Sequence, residues 1–266
     1  DAGNLSAAIA GSGSGTGNGL FTINADGSYS FDPNGEFEYL AAGESETSTI
    51  EYTVSDGEGG TDTATITVTI NGSNDAPTQV GTIGDQSGAD ADVVSLLTSG
   101  AFADADANNT LTYSASNLPA GLSIDPSTGE ISGTLDPSAS QGGTNGVYSV
   151  VVTATDDAGA SVQQSFDWTV TNPGPVADAD SNDTDENDAP LVVDAASGVL
   201  SNDVDVDGDA LTVSAINGDS GQVSASIAGS TGGLFVVNSD GSYSFSDNGD
   251  FESLGVGESQ ETTVSY

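Results

Sequence analysis

The sequence predicts an all-β protein made of tandem β-sandwich domains, on three observations. Thr63-Ala64-Thr65-Ile66-Thr67-Val68-Thr69-Ile70 alternates apolar and polar residues without a break, the pattern of a strand with one buried face. Val147-Tyr148-Ser149-Val150-Val151-Val152-Thr153 is a second run rich in β-branched residues. Gly, Asn and Asp interrupt the chain at intervals of about ten residues, and no long stretch carries helical periodicity. A length of 266 residues suggests about two to three such domains.

Taken in order, Leu20–Asn24 and Ser28–Phe31 read as a hairpin around Asn24-Ala25-Asp26-Gly27, where Gly27 can take positive φ. Asp56-Gly57-Glu58-Gly59-Gly60-Thr61-Asp62 reads as a turn between two strands, and Asp156-Asp157-Ala158-Gly159 as its counterpart further on. Trp168, the single tryptophan, lies in the strand-like run Ser165–Val170 and is read as a packing residue. Leu211-Thr212-Val213 reads as a strand leaving an acidic loop.

The chain has no Lys, Arg or His against 41 Asp and Glu, a formal net charge of −41. No side-chain salt bridge can form within it. Cations from solution must screen or bind this charge, and Ca²⁺, which prefers oxygen ligands, is the expected one. Nucleic acid is excluded as a partner, because binding phosphate backbones needs Lys or Arg. The absence of His, Cys and Lys removes Ser/His and Cys/His nucleophile pairs and Schiff-base chemistry. The acids lie in turns, and one tryptophan makes a poor sugar platform, so no enzyme is expected. Without cysteine there is no disulfide staple. Without an initiator Met, residue 1 reads as the start of a processed chain or of a window on something longer. No signal peptide, lipidation motif or apolar run of about 20 residues is seen, so no direct membrane insertion is expected.

The chain repeats itself. Gly19-Leu20-Phe21-Thr22-Ile23-Asn24-Ala25-Asp26-Gly27-Ser28-Tyr29-Ser30-Phe31 recurs as Gly233-Leu234-Phe235-Val236-Val237-Asn238-Ser239-Asp240-Gly241-Ser242-Tyr243-Ser244-Phe245, at an offset of 240 − 26 = 214. The match runs on to Tyr52 against Tyr266. Three domains are therefore expected: 1–75, carrying late strands; 76–173, complete; and 174–266, carrying early strands. Either the chain is cut from a longer array, the favoured reading, or head-to-tail subunits complete each other by donating strands.

Residues 24–77 resemble the second half of a VCBS repeat, a module of large bacterial surface proteins that include RTX adhesins. Residues 176–266, with Gly198-Val199-Leu200-Ser201-Asn202-Asp203-Val204-Asp205-Val206-Asp207-Gly208-Asp209-Ala210-Leu211-Thr212-Val213, resemble the first part of a bacterial cadherin-like or Ig-like repeat. The middle piece, with Phe102–Tyr113, Leu118–Thr134 and Val150–Val162, resembles a dystroglycan-type cadherin-like, Ig-like module. The resemblance implies an elongated array of Ig-like/cadherin-like β-sandwiches, stiffened by Ca²⁺, that extends an adhesin from the bacterial cell surface.

Asp203, Asp205, Asp207 and Asp209 alternate through a turn with Gly208 at its bend. The start matches an EF-hand loop, but the twelfth position is Ser214 instead of Glu, so this is not an EF-hand. It reads as a Ca²⁺ loop at a sandwich end, or else as a solvated acidic turn. Asp104 and Asp106 are candidate ligands in the middle domain, although the glycine of the family pattern is absent there. The resemblance adds Asp56 and Asp156, each an acid before a hairpin turn, and Asn74 and Asp75 at the first domain joint. The second joint, Asn172-Pro173-Gly174-Pro175, has no acid, so ligands there would come from Asp178, Asp180, Asp183, Asp185 or Glu186.

The function expected is a secreted, extracellular structural extender with calcium ions and neighbouring repeats as partners, serving cell adhesion or biofilm formation. The alternatives are a carbohydrate- or protein-binding module, or a subunit of a strand-exchanged filament formed by head-to-tail self-association.

Overall fold

The structure, a computed structural model, describes residues 11–14, 19–24, 26–186, 188 and 190–266. The start of the first expected domain (residues 1–10) and Ala25 of its hairpin turn lie outside them. The described residues form strands joined by turns, with 3₁₀ turns at Ser99–Ala101, Ala139–Gln141, Ala195–Ser197 and Ser220–Gln222 as their helical elements. The all-β class expected from alternation is the one observed. The chain divides into two compact units, one of 1–87, 93–134 and 147–169 and the other of 88–92, 135–146 and 170–266.

In the first unit, Gly11–Ser14, Leu20–Ile23 and Tyr29–Asp32 form an antiparallel three-stranded sheet in that order. The expected hairpin closes through Asn24 N to Ser28 O (2.8 Å) and Gly27 N to Asn24 O (3.0 Å). Ser45–Ser55 and Thr61–Asn71 form a long hairpin, with Ile50 opposite Ile66. Phe21, Ile23, Phe37 and Leu40 are buried beneath them, and the Phe21 and Phe31 rings lie 4.8 Å apart. The alternating run Thr63–Ile70 thus sits inside one strand, as its pattern demands.

The middle of the chain contributes two further sheets. Thr112–Ser116, Val147–Thr155, Ser161–Thr171 and Gln86–Ala89 form one; Leu122–Ile124, Glu130–Thr134 and Val93–Leu97 form the other. Val150, Val152 and Ala154 point inward at period two, Phe166 lies opposite Val150, and Ile131 is fully buried on the other sheet. Trp168 is 2% exposed with its ring 6.1 Å from that of Phe166, so it packs as expected.

In the second unit, Leu191–Val193, Tyr243–Ser246, Leu234–Val237 and Ile227–Ala228 form an antiparallel sheet in that order. Val199, Val213, Ile216, Val237 and Tyr243 make its core, with Leu191, Val193, Leu200, Val223, Ile227 and Val264 packed around them. One expectation fails here. Leu211–Val213 is not a strand: its one bond of this kind is Val213 N to Ser239 O at 3.0 Å. The run is caught between the acidic loop and the tight turn in which Ile216 N bonds Asp219 O at 3.1 Å. Val213 is buried in the core, and too little extended chain remains for a ladder.

The two copies of the hairpin offer an internal comparison. Gly27 and Gly241 both adopt left-handed φ, 86° and 82°. A Cβ at Gly27 would meet nothing within 4 Å, whereas one at Gly241 would lie 2.9 Å from Leu200 Cγ and 3.1 Å from its backbone N. Gly27→Ala is expected to cost only the left-handed penalty of about 1–2 kcal/mol. Gly241→Ala should cost more, because Leu200 must move. Denaturant unfolding of the two variants checks the order, and equal costs would refute it.

Candidate metal centres

The candidate ligands fall into two clusters, one in each unit, and one residue stands apart. In the first unit the Asn74-Asp75 joint is drawn against the turns that carry Asp104, Asp106 and Asp156. Asn74 Nδ2 donates to Asp156 Oδ2 (2.9 Å), and Asp75 N donates to Asp106 Oδ2 (3.0 Å). Asn109 Nδ2 donates to that same oxygen at 3.1 Å, and Asp106 N donates to Asp104 Oδ1 at 2.9 Å. Asp106 and Asp156 are buried. Burying carboxylates with no basic partner is costly unless donors or a cation compensate. Donors reach some of the oxygens, but Asp104 Oδ2 and Asp106 Oδ1 are buried with no hydrogen-bond partner among the described residues.

Asp156 belongs to a tight turn: Asp156 N bonds Ala160 O, and its Oδ1 accepts from Ala158 N (2.9 Å) and Ala160 N (2.8 Å). The Asn74 amide first, and these backbone donors after it, hold the Asp156 carboxyl below its ordinary range despite burial. A depressed folded-state pKa contributes stability above the unfolded value, and that stability disappears as pH falls through the folded value. Asn74→Ala is expected to move the Asp156 titration toward ordinary carboxylates, and to move acid unfolding of this unit to higher pH. NMR titration of the Asp156 carboxyl tests this, and an unmoved midpoint would refute it.

Asp56 occupies the equivalent turn of the first hairpin. Its Oδ1 accepts from Glu58 N (2.8 Å) and Gly60 N (2.9 Å), so it supports its own exposed turn and is not joined to the other candidates.

In the second unit, the segment carrying Asp178 and Asp180 is stitched to the acidic loop. Val176 and Val204 exchange backbone hydrogen bonds of 2.8 and 3.0 Å, and Asp178 N donates to Asp203 Oδ1 at 2.8 Å. The Tyr266 hydroxyl lies 2.8 Å from Asp180 Oδ2 and 2.8 Å from the Asp178 carbonyl. Burial and the adjacent Asp180 carboxylate raise the Tyr266 pKa, so the phenol keeps its proton and acts as donor. Within the loop, Asp205 Oδ1 accepts from the backbone N of Asp207 (3.2 Å) and Asp209 (3.3 Å).

Asp207 is only 7% exposed, and among the described residues no donor reaches either of its oxygens. The Asp205 carboxyl beside it, burial, and the charges of Asp205 and Asp209 push the Asp207 pKa up to about 6, while Asp205 is lowered. The pair favours sharing one proton between two carboxylates, or a cation in its place. Upstream of the loop, Asn182 Nδ2 donates to the Tyr243 hydroxyl.

Sequence reading missed Asp90. It is 2% exposed, its Oδ1 accepts from Ser140 N at 2.8 Å, and its Oδ2 is buried without a partner. Asp90-Ala91-Asp92 is an Asp-x-Asp turn between Gln86–Ala89 and Val93–Leu97, so the spacing that marked the other loops was also the signal available here. Among the described residues, no three acidic side chains already converge on one point as a ready-made ion cage. Among the described residues, both clusters present buried carboxylate oxygens that no donor reaches.

A family model described as "Bacterial cadherin-like domain" matches residues 1–72 and 172–266, and one described as "Putative Ig domain" matches 76–171. No curated protein matches. Among solved structures, mouse cadherin-23 EC22-24 is 16% identical, with 85% of this chain and 71% of that one covered and a TM-score of 0.43. Human mucin-like protocadherin EC1-2 is 13% identical, covering 57% and 78%, with a TM-score of 0.41. A "putative alpha-galactosidase" from Bacteroides fragilis is 19% identical over 36% of this chain, with a TM-score of 0.27, and only 17% of its own length is covered. Among the described residues no helix is long and apolar enough to cross a membrane.

Proposed function

Because the chain belongs to the bacterial cadherin-like domain family, whose modules are typically extracellular and non-enzymatic, we propose that it is a structural extender of a secreted bacterial adhesin. Its sandwiches bind Ca²⁺ at turns and joints and hold a distal binding domain away from the cell, serving adhesion or biofilm formation. The VCBS-like hairpin and the Asp-x-Asp loops fit the repeats of an RTX-type adhesin.

One observation carries this reading. A chain without a single basic side chain buries Asp104 Oδ2, Asp106 Oδ1 and both Asp207 carboxylate oxygens with no donor to them among the described residues. With no basic side chain in the sequence to pair with them, a bound dication would give such oxygens a charged partner. The ligands would be Asn74, Asp75, Asp104, Asp106 and Asp156 in the first unit. In the second they would be Asp178, Asp180, Asp203, Asp205, Asp207 and Asp209.

Small-angle scattering with Ca²⁺, with Mg²⁺ and with EGTA tests the stiffening. A longer, narrower distribution of dimensions is expected with Ca²⁺ alone. Identical profiles in all three would sink the proposal, and an equal effect of Mg²⁺ would reduce it to charge screening.

A further inference from the structure

The loop of residues 104–109 touches more than candidate ligands. Ala107 N donates to Tyr39 O at 3.0 Å, and Asn108 Nδ2 donates to Glu44 Oε1 at 2.7 Å. Both acceptors lie just before the long hairpin of Ser45–Ser55 and Thr61–Asn71, and all four residues belong to the first unit. These bonds join the first repeat copy to the middle domain, and neither needs an ion.

Glu44 is set up for this contact by its own turn. Glu44 N donates to Ala41 O (3.0 Å), and Ala41 N donates back to Glu44 Oε2 (3.1 Å), which leaves Oε1 to reach Asn108. Gly72 N donates to the Glu44 carbonyl at 2.9 Å. A Cβ at Gly72 would lie 2.3 Å from Leu40 O and 2.4 Å from Ala41 O, so only glycine lets the chain leaving the hairpin seat against this turn. The turn belongs to the repeat itself. At the offset of 258 − 44 = 214, Glu258 N donates to Gly255 O and Gly255 N to Glu258 Oε2, each at 2.9 Å.

Between two acidic domains a salt bridge would be the ordinary fastening, but this chain has no Lys, Arg or His. Its side-chain donors are amides, hydroxyls and one indole. An Asn amide on a carboxylate is a charge-assisted bond that brings no further charge to the joint. The linker between the domains is tied as well, by Asn74 to Asp156 and by Asp75 N to Asp106. We propose that Glu44 and Asn108, with the Tyr39–Ala107 backbone bond, form an ion-independent clasp that keeps the first repeat copy docked on the middle domain when calcium is absent. The candidate ligands Asn74, Asp75, Asp104, Asp106 and Asp156 then sit on a joint that is already closed, and the change in dimensions expected with calcium arises outside it. The clasp does not rest on the calcium reading.

Because the chain has no cysteine, two spin labels can be placed cleanly, at Thr65→Cys and Ser123→Cys, exposed mid-strand positions of the first hairpin and of the middle domain. Pulsed electron resonance in EGTA is expected to give one narrow distance distribution that Ca²⁺ leaves in place. Asn108→Asp, at an exposed position, keeps the side chain's size, removes the donor and sets a like charge against Glu44. It should raise the undocked population in EGTA at least about tenfold, and Glu44→Ala should do the same. As a second measurement, hydrogen exchange at the Ala107 amide should be slow in the unlabelled chain in EGTA and at least about tenfold faster in Asn108→Asp. A broad distribution in EGTA that narrows only with Ca²⁺ would make the ion the fastening and overturn the proposal. So would a narrow distribution, or a protected Ala107 amide, that the substitutions leave unchanged. A scattering test without a calcium effect would leave the clasp standing, whereas a calcium-dependent distance here would remove the clasp and leave the calcium reading in place.

Discussion

Calcium removal is expected to lower the melting temperature of both units by about 6–11 °C per occupied site. Extracellular modules bind Ca²⁺ at about 10⁻⁴ to 10⁻³ M, so millimolar calcium reaches about ten times Kd at the tighter end. Binding only to the folded state then contributes about 1.4 kcal/mol per site. For a domain of about 60–100 residues, each kcal/mol corresponds to about 4–8 °C. The gain is large against a whole margin of about 5–15 kcal/mol. Calorimetry across a Ca²⁺ series should show melting temperatures that climb with the logarithm of concentration once the sites are filled, as mass action requires. The chain has no salt bridges to fall back on, since Lys, Arg and His are absent. A melting temperature indifferent to EGTA would refute both clusters at once.

The contrast between what was readable and what was not has a physical origin. Strand Thr61–Asn71 was legible because Ile66, Val68 and Ile70 are half-buried on one face while the threonines between them are exposed, and that asymmetry writes a period of two into the residues. The hairpin turn at Asn24–Gly27 was legible because Gly27 takes a backbone angle that other residues resist. Leu211–Val213 misled for the converse reason. A short apolar run looks the same whether it joins a ladder or plugs a core, and only the bonds around Ser239 and Asp219 settle which.

The clusters divide along the same line. Asp203 to Asp209 could be read as a loop because its spacing is local. That Asn74 reaches Asp156, or that Asp75 reaches Asp106, depends on contacts between residues 82 and 31 positions apart. Only the resemblance to a family pointed to them. Asp90 shares the Asp-x-Asp spacing with Asp92, but what sets it apart is burial, which a sequence does not display. Asp56 and Asp156 sit in near-identical turns, yet Asp156 alone is joined to the cluster, through Asn74.

Replacing Asp207 by Asn is expected to act in opposite directions with and without calcium. Without the ion, a nearly buried carboxylate sits beside Asp205 and feels the charge of Asp209, which raises its pKa to about 6. The unfolded chain titrates near about 3.9. The folded state therefore holds this proton more tightly than the unfolded one. Its contribution to stability is complete below about pH 4 and is lost as pH rises through about 6. At pH 7.5 in EGTA the wild-type second unit carries the full repulsion. Asp207→Asn removes the charge, supplies an amide donor to Asp205, and should raise the melting temperature. The wild type should lose stability between about pH 4 and 6 in EGTA, and the variant should lose less. In millimolar Ca²⁺ the ranking inverts, because the ion neutralises the wild-type pair while the variant has lost a charged ligand. Protons and calcium then compete for one site, so calcium affinity of the wild type falls as pH drops below about 6. A solvated acidic turn predicts neither effect: the substitution would leave both melting temperatures unchanged, in EGTA and in calcium alike. Were Asp207→Asn destabilising in both conditions, the buried carboxylate would be structural in its own right, and the loop would not be a cation site.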